Sequence, residues 1–595
     1  MKRLDLDDSR LGRFTNRQLL ALLWPLFRPR LAHFAGALGL LIVSAALTVV
    51  GPLLIKRAID HDIALADVAS LRRTVLLYIA AQLGNVGVLY LMRNWLEWTG
   101  QYMMAAVRKR LFDHLLDLPL AFHDKNTPGQ LLSRVESDTQ ALRMLFTTTA
   151  VTLLGDVLLF GGMFVAMAFV SVRLTLLTAA VMPLLVIVTL VFQRRIHPLF
   201  VQVRKENSEI AGRLTELLHA MPVIRAFARQ RWAIGELMTR NRRKYDVNVR
   251  GQWLIILWIN LLFLLQMTSL ALILGLGGYW ALLGLVTIGT LVMFVGYVRR
   301  FFEPLLRLSE QLAFIQKAFA SAERVFVLLH EPLSIVDPPE PAPWPGLRQG
   351  IRFENVWFRY RDDGDWVLRD VSLEIPAGES WAIVGPTGSG KTTMVNLLLR
   401  LCDPQRGRIT IDGIDLRDLR QEDLRRHTAL VLQDIYLFPG NLRANLTLGQ
   451  KVDDGVLSSA ARTALVDSFV SRLPGSYDAE LEEGGGNLSV GQRQLLSFTR
   501  ALVREPQLMV LDEATSAVDL ATEAALGEAT RRALAGRTAL VVAHRLSTIR
   551  HCHGIVVLEA GRIVERGTHD ELLQNGGLYR SLHALQLVAD DHVHQ

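Results

Sequence analysis

The sequence predicts a membrane α-helical domain of six transmembrane helices fused to a C-terminal α/β domain built around a phosphate-binding loop. Three observations carry this. Long uncharged runs fill the first 300 positions, six prolines crowd Pro332 to Pro345, and short β-branched runs alternate with helical segments beyond them. The composition agrees, because 595 residues that are 50% hydrophobic and 21% charged, with a mean hydropathy of +0.26, are poorly suited to a soluble chain. The net charge of +8 fits the arginines that flank membrane spans as well as it fits an anionic partner.

The first uncharged run, Leu31 to Ile55, is 25 residues long, enough to cross about 30 Å of hydrocarbon at about 1.5 Å per residue. Further spans are expected over Thr74–Met92, Met144–Val172, Leu174–Phe192 and Gly251–Val298. The last run is 48 residues, about twice what one helix needs. It reads as two spans meeting near Trp280–Thr287, with Gly284 and Gly289 marking the bend. The basic segments 93–143 and 193–250 belong in the cytoplasm by the positive-inside bias, which puts both termini and the C-terminal domain there. Helical periodicity through Ile210, Leu214, Leu217 and Leu218 extends the spanning helices beyond the bilayer. Leu19 to Trp24, flanked by arginines, reads as an interfacial amphipathic helix. The N-terminus has no apolar core followed by a cleavage site and is not a signal peptide.

The expected domains are residues 1–330 for the membrane part, 331–349 for a proline-rich linker, 350–585 for the α/β domain and 586–595 for a tail. Cys402 and Cys552 lie 150 positions apart with no metal-ligand spacing and read as plain thiols.

A strand, Trp381 to Val384, feeds directly into Gly385 Pro386 Thr387 Gly388 Ser389 Gly390 Lys391 Thr392, and a helical run follows from Thr393. This is the phosphate-loop pattern in the context that it requires. Backbone N–H groups close around phosphates, Lys391 reaches the β/γ oxygens and the Thr392 hydroxyl ligates Mg²⁺. A second buried strand, Leu508 to Leu511, ends in Asp512 and Glu513. Asp512 is placed to hold the magnesium and Glu513 to polarise the attacking water.

Taken together, Gly385–Thr392, Gln433, Leu488 Ser489 Val490 Gly491 Gln492, Leu511–Ser516, Asp519 and His544 resemble the Walker A, Q-loop, signature, Walker B, D-loop and switch-histidine motifs of an ATP-binding cassette. The signature is the most specific of these. Six spans before the cassette on one chain resemble the half-transporters of the multidrug and lipid exporter branch. The resemblance implies a head-to-tail pair of cassettes, with ATP held between Walker A of one and Ser489, Gly491 and Gln492 of the other. It also implies that Tyr360 stacks on adenine, that Gln433 contacts the Mg²⁺, and that His544 contacts the γ-phosphate and holds Glu513 in line. Thr393 and Asp519 complete the nucleotide-binding set. Val490 stands where the family most often has glycine. With the Asp512–Glu513 pair intact, the chain resembles the consensus-site member of bacterial heterodimeric exporters, so a second, different half-transporter is favoured over a second copy.

Phe122, His123, Asp124 and Gly129, with Arg134 and Asp138, resemble the first cytoplasmic coupling loop of the family, and Ala220–Phe227 the second. Pro222 is expected to turn the chain there, freeing Val223, Ile224 and Phe227 to dock. Polar groups within spans are the local clue to cargo, since each costs roughly 3 kcal/mol on insertion scales. Asp156 is the clearest substrate-cavity candidate; Arg299, Arg300 and Glu303 are further candidates at span ends or extensions, where snorkelling or an Arg299 to Glu303 ion pair is the plainer reading. The expected function is ATP-driven export of an amphipathic drug-like molecule or lipid across the bacterial inner membrane, with ATP and Mg²⁺ as cofactors and no nucleic-acid partner. An ATP-gated channel or regulatory ATPase is the alternative.

Overall fold

Six long helices carry the N-terminal half: α1 (Leu31–Arg57), α2 (Val68–Asp117), α3 (Pro128–Val170, with short π-helical segments at Arg134–Asp138 and Leu145–Thr149), α4 (Val172–His219), α5 (Gln230–Leu282) and α6 (Ile288–Leu329). The computed structural model describes residues 24, 28–361, 363–432, 435–512, 520–542 and 549–593; the expected amphipathic helix at Leu19–Trp24 falls outside them except for Trp24. Among the described residues, five helices are long and apolar enough to cross a membrane. The sixth, α6, has a shorter uncharged run that ends at Arg299.

The uncharged run expected to hold two spans does break, at Leu283–Thr287, where Gly284 takes φ +70°. Gly289 serves a different need from the expected bend. A Cβ there would meet the Asp60 carboxylate at 2.6 Å, and its own N–H donates to that carboxylate at 2.7 Å. Asp60 also accepts from the Thr287 hydroxyl and pairs with Lys56 at 3.1 Å, which ties the end of α1 to the start of α6.

The shared core of this bundle joins Met163 and Met167 of α3, Phe192 of α4, Trp258 of α5 and Tyr297 and Phe301 of α6. Phe192 stacks on Trp258 with ring centroids 4.3 Å apart. Small residues let the helices approach, as where Gly162 faces Val49 and Gly277 faces Leu174 and Leu291. The outward faces stay apolar, with Phe169 and Leu282 almost fully exposed, as a lipid-facing surface requires. At 48 and 53 residues, α4 and α5 run about 72 and 80 Å, more than twice the hydrocarbon thickness.

The chain divides into two compact units. One comprises residues up to Leu116 together with Pro128–Glu331, the other Asp117–Thr127 together with residues from Pro332 onward. The short helix Leu120–Lys125, with Phe122 buried, thus belongs to the second unit although its chain neighbours belong to the first. At the other loop the helix breaks at Ala220 rather than at Pro222. Pro222 occupies the first turn of a new short helix, Met221–Ala226, where its missing N–H has no partner to lose. Val223 and Phe227 are exposed there, but Ile224 is buried, so it is not free to dock as expected.

Two layers of sheet organise the second unit. A six-stranded sheet runs in the order β12 (Arg562–Gly567), β11 (Gly554–Glu559), β3 (Ser380–Val384), β10 (Thr538–Val542), β9 (Leu508–Asp512), β6 (Thr428–Val431), parallel except for the β11–β12 hairpin. Alternate residues feed two separate cores: Ala382, Met509 and Val541 on one face, Ile383, Val510 and Leu540 on the other. Burial on both faces explains why these strands read as continuous apolar runs. A second, antiparallel sheet runs β2 (Leu368–Pro376), β1 (Gly350–Phe358), β4 (Arg406–Ile411), β5 (Ile414–Asp415).

The proline-rich segment packs along this unit as an extended strap. Trp344 stacks on His427 at 4.7 Å and donates to Gln507 Oε1 at 3.0 Å. Arg400, only 2% exposed, donates to the carbonyls of Val336 and Leu419.

Candidate nucleotide site

The carboxyl ends of β3, β10, β9 and β6 emerge at one edge of the sheet. The register sets Ile383 beside Val542, Val542 beside Asp512 and Leu511 beside Val431. In an open parallel sheet this edge is where ligands bind. The loop after β3 opens with Gly385 at φ +155° and closes with Gly390 at φ +107°. A Cβ on Gly385 would lie 2.1 Å from the Leu558 carbonyl, and one on Gly390 2.7 Å from the Leu368 side chain. Glycine is required at both. Helix Lys391–Leu398 starts at once, so its free N–H groups and positive end face the loop.

Lys391 is buried, and its Nζ donates to the carbonyls of Gly385 and Pro386 at 2.8 and 3.0 Å. Burial pulls its pKa below the usual lysine value, opposed by the charge of Asp512. A desolvated ammonium whose hydrogen bonds go to carbonyl oxygens is a strong site for an anion. Ser389 Oγ is also buried, with no hydrogen-bond partner among the described residues. The loop therefore carries a donor with no partner among the described residues and a buried cation, which fits the phosphates of a nucleotide. Thr392 is exposed beside them, and Asp512 is half-buried at the end of β9.

Tyr360 Oη lies 3.1 Å from Thr393 Oγ1, and its ring meets Phe358 edge-on at 5.0 Å. Its exposed ring is thus tied to the phosphate helix, a link that spacing alone does not reveal. Ser489 caps helix Val490–Leu502. Its Oγ accepts from Gln492 N–H at 3.2 Å, while Gln492 Oε1 accepts from Ser489 N–H at 2.9 Å. The helix starts at Val490, because this reciprocal box satisfies its first turn.

Residues 368–516 match the family description "ABC transporter", and residues 34–305 match "ABC transporter transmembrane region". The ABC transporter ATP-binding protein YfiC of Bacillus subtilis is 36% identical over 92% of this chain and 91% of its own length. The chain belongs to the ABC transporter family. The ATP-dependent lipid A-core flippase of Desulfotalea psychrophila is 32% identical over 96% of this chain and 100% of its own length. A fatty acid ABC transporter of Mycobacterium bovis is 36% identical over 86% of this chain and 81% of its own. The solved structure of a bacterial Atm1-family ABC exporter with ATP bound has a TM-score of 0.76 at 27% identity, covering 93% of this chain and 98% of that one.

This ABC transporter has the exporter fold, a membrane-spanning helical domain joined to an ATP-binding domain that couples ATP hydrolysis to transport, and its relatives include multidrug and lipid exporters. Four of its sequence-predicted residues, Gln433, Glu513, Asp519 and His544, lie outside the described residues, as does the side chain of Glu303. The described ones divide between the units. Tyr360, Gly385–Thr393 and Asp512 gather at the sheet edge, and Ser489, Gly491 and Gln492 sit at their own helix start. In the membrane unit Asp156 is half-buried on α3, while Arg299 and Arg300 sit on α6.

Sequence reading missed one polar cluster. Asp138 is 5% exposed and accepts from Arg324 Nε and Ser321 Oγ, each at 2.8 Å, pinning α3 to the far end of α6. Its only signal was an acid and a base 186 positions apart. Neither cysteine is in a disulfide; burial pushes the Cys402 thiol up to about 12, which disfavours its thiolate.

Proposed function

We propose that the chain is one half of a dimeric exporter that moves an amphipathic or hydrophobic compound outward across the bacterial inner membrane by alternating access. Both termini and the cassette face the cytoplasm. Its partner is a second half-transporter, a different chain in preference to a copy. The observation that carries this reading is the buried Lys391 beneath the glycine loop, hydrogen-bonded to the loop's own carbonyls, on a chain that also supplies its own membrane helices.

ATP binds with its phosphates in the loop Gly385–Thr392 and its adenine against Tyr360, supported by Thr393. Thr392, Asp512 and Gln433 would hold Mg²⁺, which neutralises the charge developing on the phosphates. Glu513 orients water and His544 holds it in line. Ser489, Gly491 and Gln492 of one chain close over the nucleotide of the other, with Asp519 beside them. Closure is favoured by the higher affinity of the closed state for ATP, and that difference drives the switch from inward to outward facing.

Reconstituted vesicles test the reading. ATP-driven accumulation of an amphiphile against its gradient is expected, and conductance without accumulation favours the channel alternative instead. Full hydrolysis after Ser489→Ala and Gly491→Pro in every subunit would show that no opposed site exists.

A further inference from the structure

Helix α6 carries an uncharged run of only eleven residues, Ile288–Val298, before Arg299 and Arg300. That run covers about 16 Å, half the hydrocarbon depth. Neighbouring helices agree on this depth. Tyr297 Oη donates to the Val49 carbonyl at 2.7 Å, within the uncharged run of α1. Gln266, the sixteenth of 32 uncharged residues in α5, donates to the Arg299 carbonyl at 3.5 Å. Phe301 stacks on Phe160, midway along the apolar part of α3.

The helix faces are sharply unequal. Tyr297, Val298 and Phe301 are at most 1% exposed and fill the protomer's core. Arg299 is exposed and shares its face with exposed Val292, two turns away; Arg300 is half-buried. Among the described residues no carboxylate is ion-paired with either guanidinium. A face that its own protomer leaves uncovered meets either acyl chains or the interior of the dimer, and an arginine at mid-depth excludes the first.

From this we infer that Arg299 and Arg300 form an anion-recognition site in the translocation cavity, and that the cargo is an amphiphile with a carboxylate or phosphate headgroup. The inference rests on the exporter reading above and narrows its substrate class. Each guanidinium carries a planar fork that matches the paired oxygens of either headgroup. The apolar neighbours Val292 and Val295 accept a tail.

The test uses the full-length transporter in phosphatidylcholine nanodiscs, with equilibrium binding of radiolabelled dodecyl phosphate and competition by dodecanoate, dodecanol, dodecyltrimethylammonium, inorganic phosphate and acetate. Both anionic amphiphiles are expected to bind at least tenfold tighter than the alcohol or the ammonium. Arg299→Gln with Arg300→Gln should abolish that preference, and Arg299→Lys with Arg300→Lys should keep it to within about threefold. Glu303→Gln should preserve or sharpen it, whereas loss of preference in Glu303→Gln would assign the arginines to an intrahelical ion pair. Equal affinity for cation and anion overturns the inference, as does competition by phosphate or acetate at the amphiphile's own concentration, which would mark a free-anion site. In reconstituted vesicles, ATP-driven accumulation without charge preference would sink this inference alone; absence of accumulation for every probe would sink the exporter reading.

Discussion

At the level of single residues, the nucleotide site divides tasks among groups whose environments differ. In the proposed site Lys391, desolvated and held by carbonyls, is the group suited to charge. Tyr360, its hydroxyl tied to Thr393, offers the ring proposed to meet the base. Tyr360→Ala should raise the KM for ATP about tenfold, the equivalent of losing 1 to 2 kcal/mol of base stacking, while Tyr360→Phe keeps the ring and should change it by less than about threefold. Steady-state hydrolysis measures both, and an unchanged KM in the alanine variant would place the base elsewhere. Glu513→Gln should bind ATP normally yet turn over about 100-fold or more slowly, the usual contribution of a positioned base; single-turnover hydrolysis after nucleotide loading reads this directly.

Between elements, buried polar pairs do the fastening. Asp138 has Arg324 and Ser321 as partners between α3 and α6, and losing one partner of a buried pair costs about 3 kcal/mol or more because the other charge stays buried. Asp138→Ala should therefore destabilise the bundle strongly, and the double change with Arg324→Ala should cost clearly less than the two single losses added together. Detergent-solubilised thermal unfolding of the four proteins closes the cycle.

The C-terminal helix is fastened by a different cluster. His569 Nδ1 lies 2.7 Å from Tyr579 Oη, and the His583 ring is 5.5 Å from that of His569. Burial first, and the neighbouring His569 second, hold the His583 pKa below its ordinary 6.5. The folded state thus disfavours the protonated form. Stability is fully present above pH 6.5 and is lost as pH falls through the depressed folded value. Amide exchange over 578–585 should be faster at pH 5.5 than at pH 7.5, and His583→Asn should flatten the dependence.

On the scale of the whole molecule, one chain supplies a phosphate loop and a signature helix at separate places, each complete locally and each open to a partner. Preference for a different partner predicts that the chain purified alone runs at its own 66.6 kDa, and that it gains ATPase activity when co-expressed with the second half-transporter. Mass measurement in detergent decides it. A stable species of twice that mass with full activity would identify a homodimer.

Much of this was legible along the chain because the signals are local. Uncharged runs of a bilayer's length, glycines at positive φ before a lysine, and apolar strands buried on both faces are dictated by backbone sterics and by the cost of dehydrating polar groups. Strands β2 and β4 escaped notice because one face of each is polar, so neither forms an apolar run. The helix break at Ala220 and the burial of Ile224 also depended on neighbours that spacing does not show.

By itself, then, the sequence determined the membrane and cassette halves, the family and the place of the glycine loop. Tertiary structure alone decided that Asp138 is pinned to Arg324, that Tyr360 leans on the phosphate helix, and that the Arg299 carbonyl meets Gln266 of α5 while its side chain is exposed. Those facts depend on which residues meet across hundreds of positions, and helix packing, not local propensity, sets such meetings.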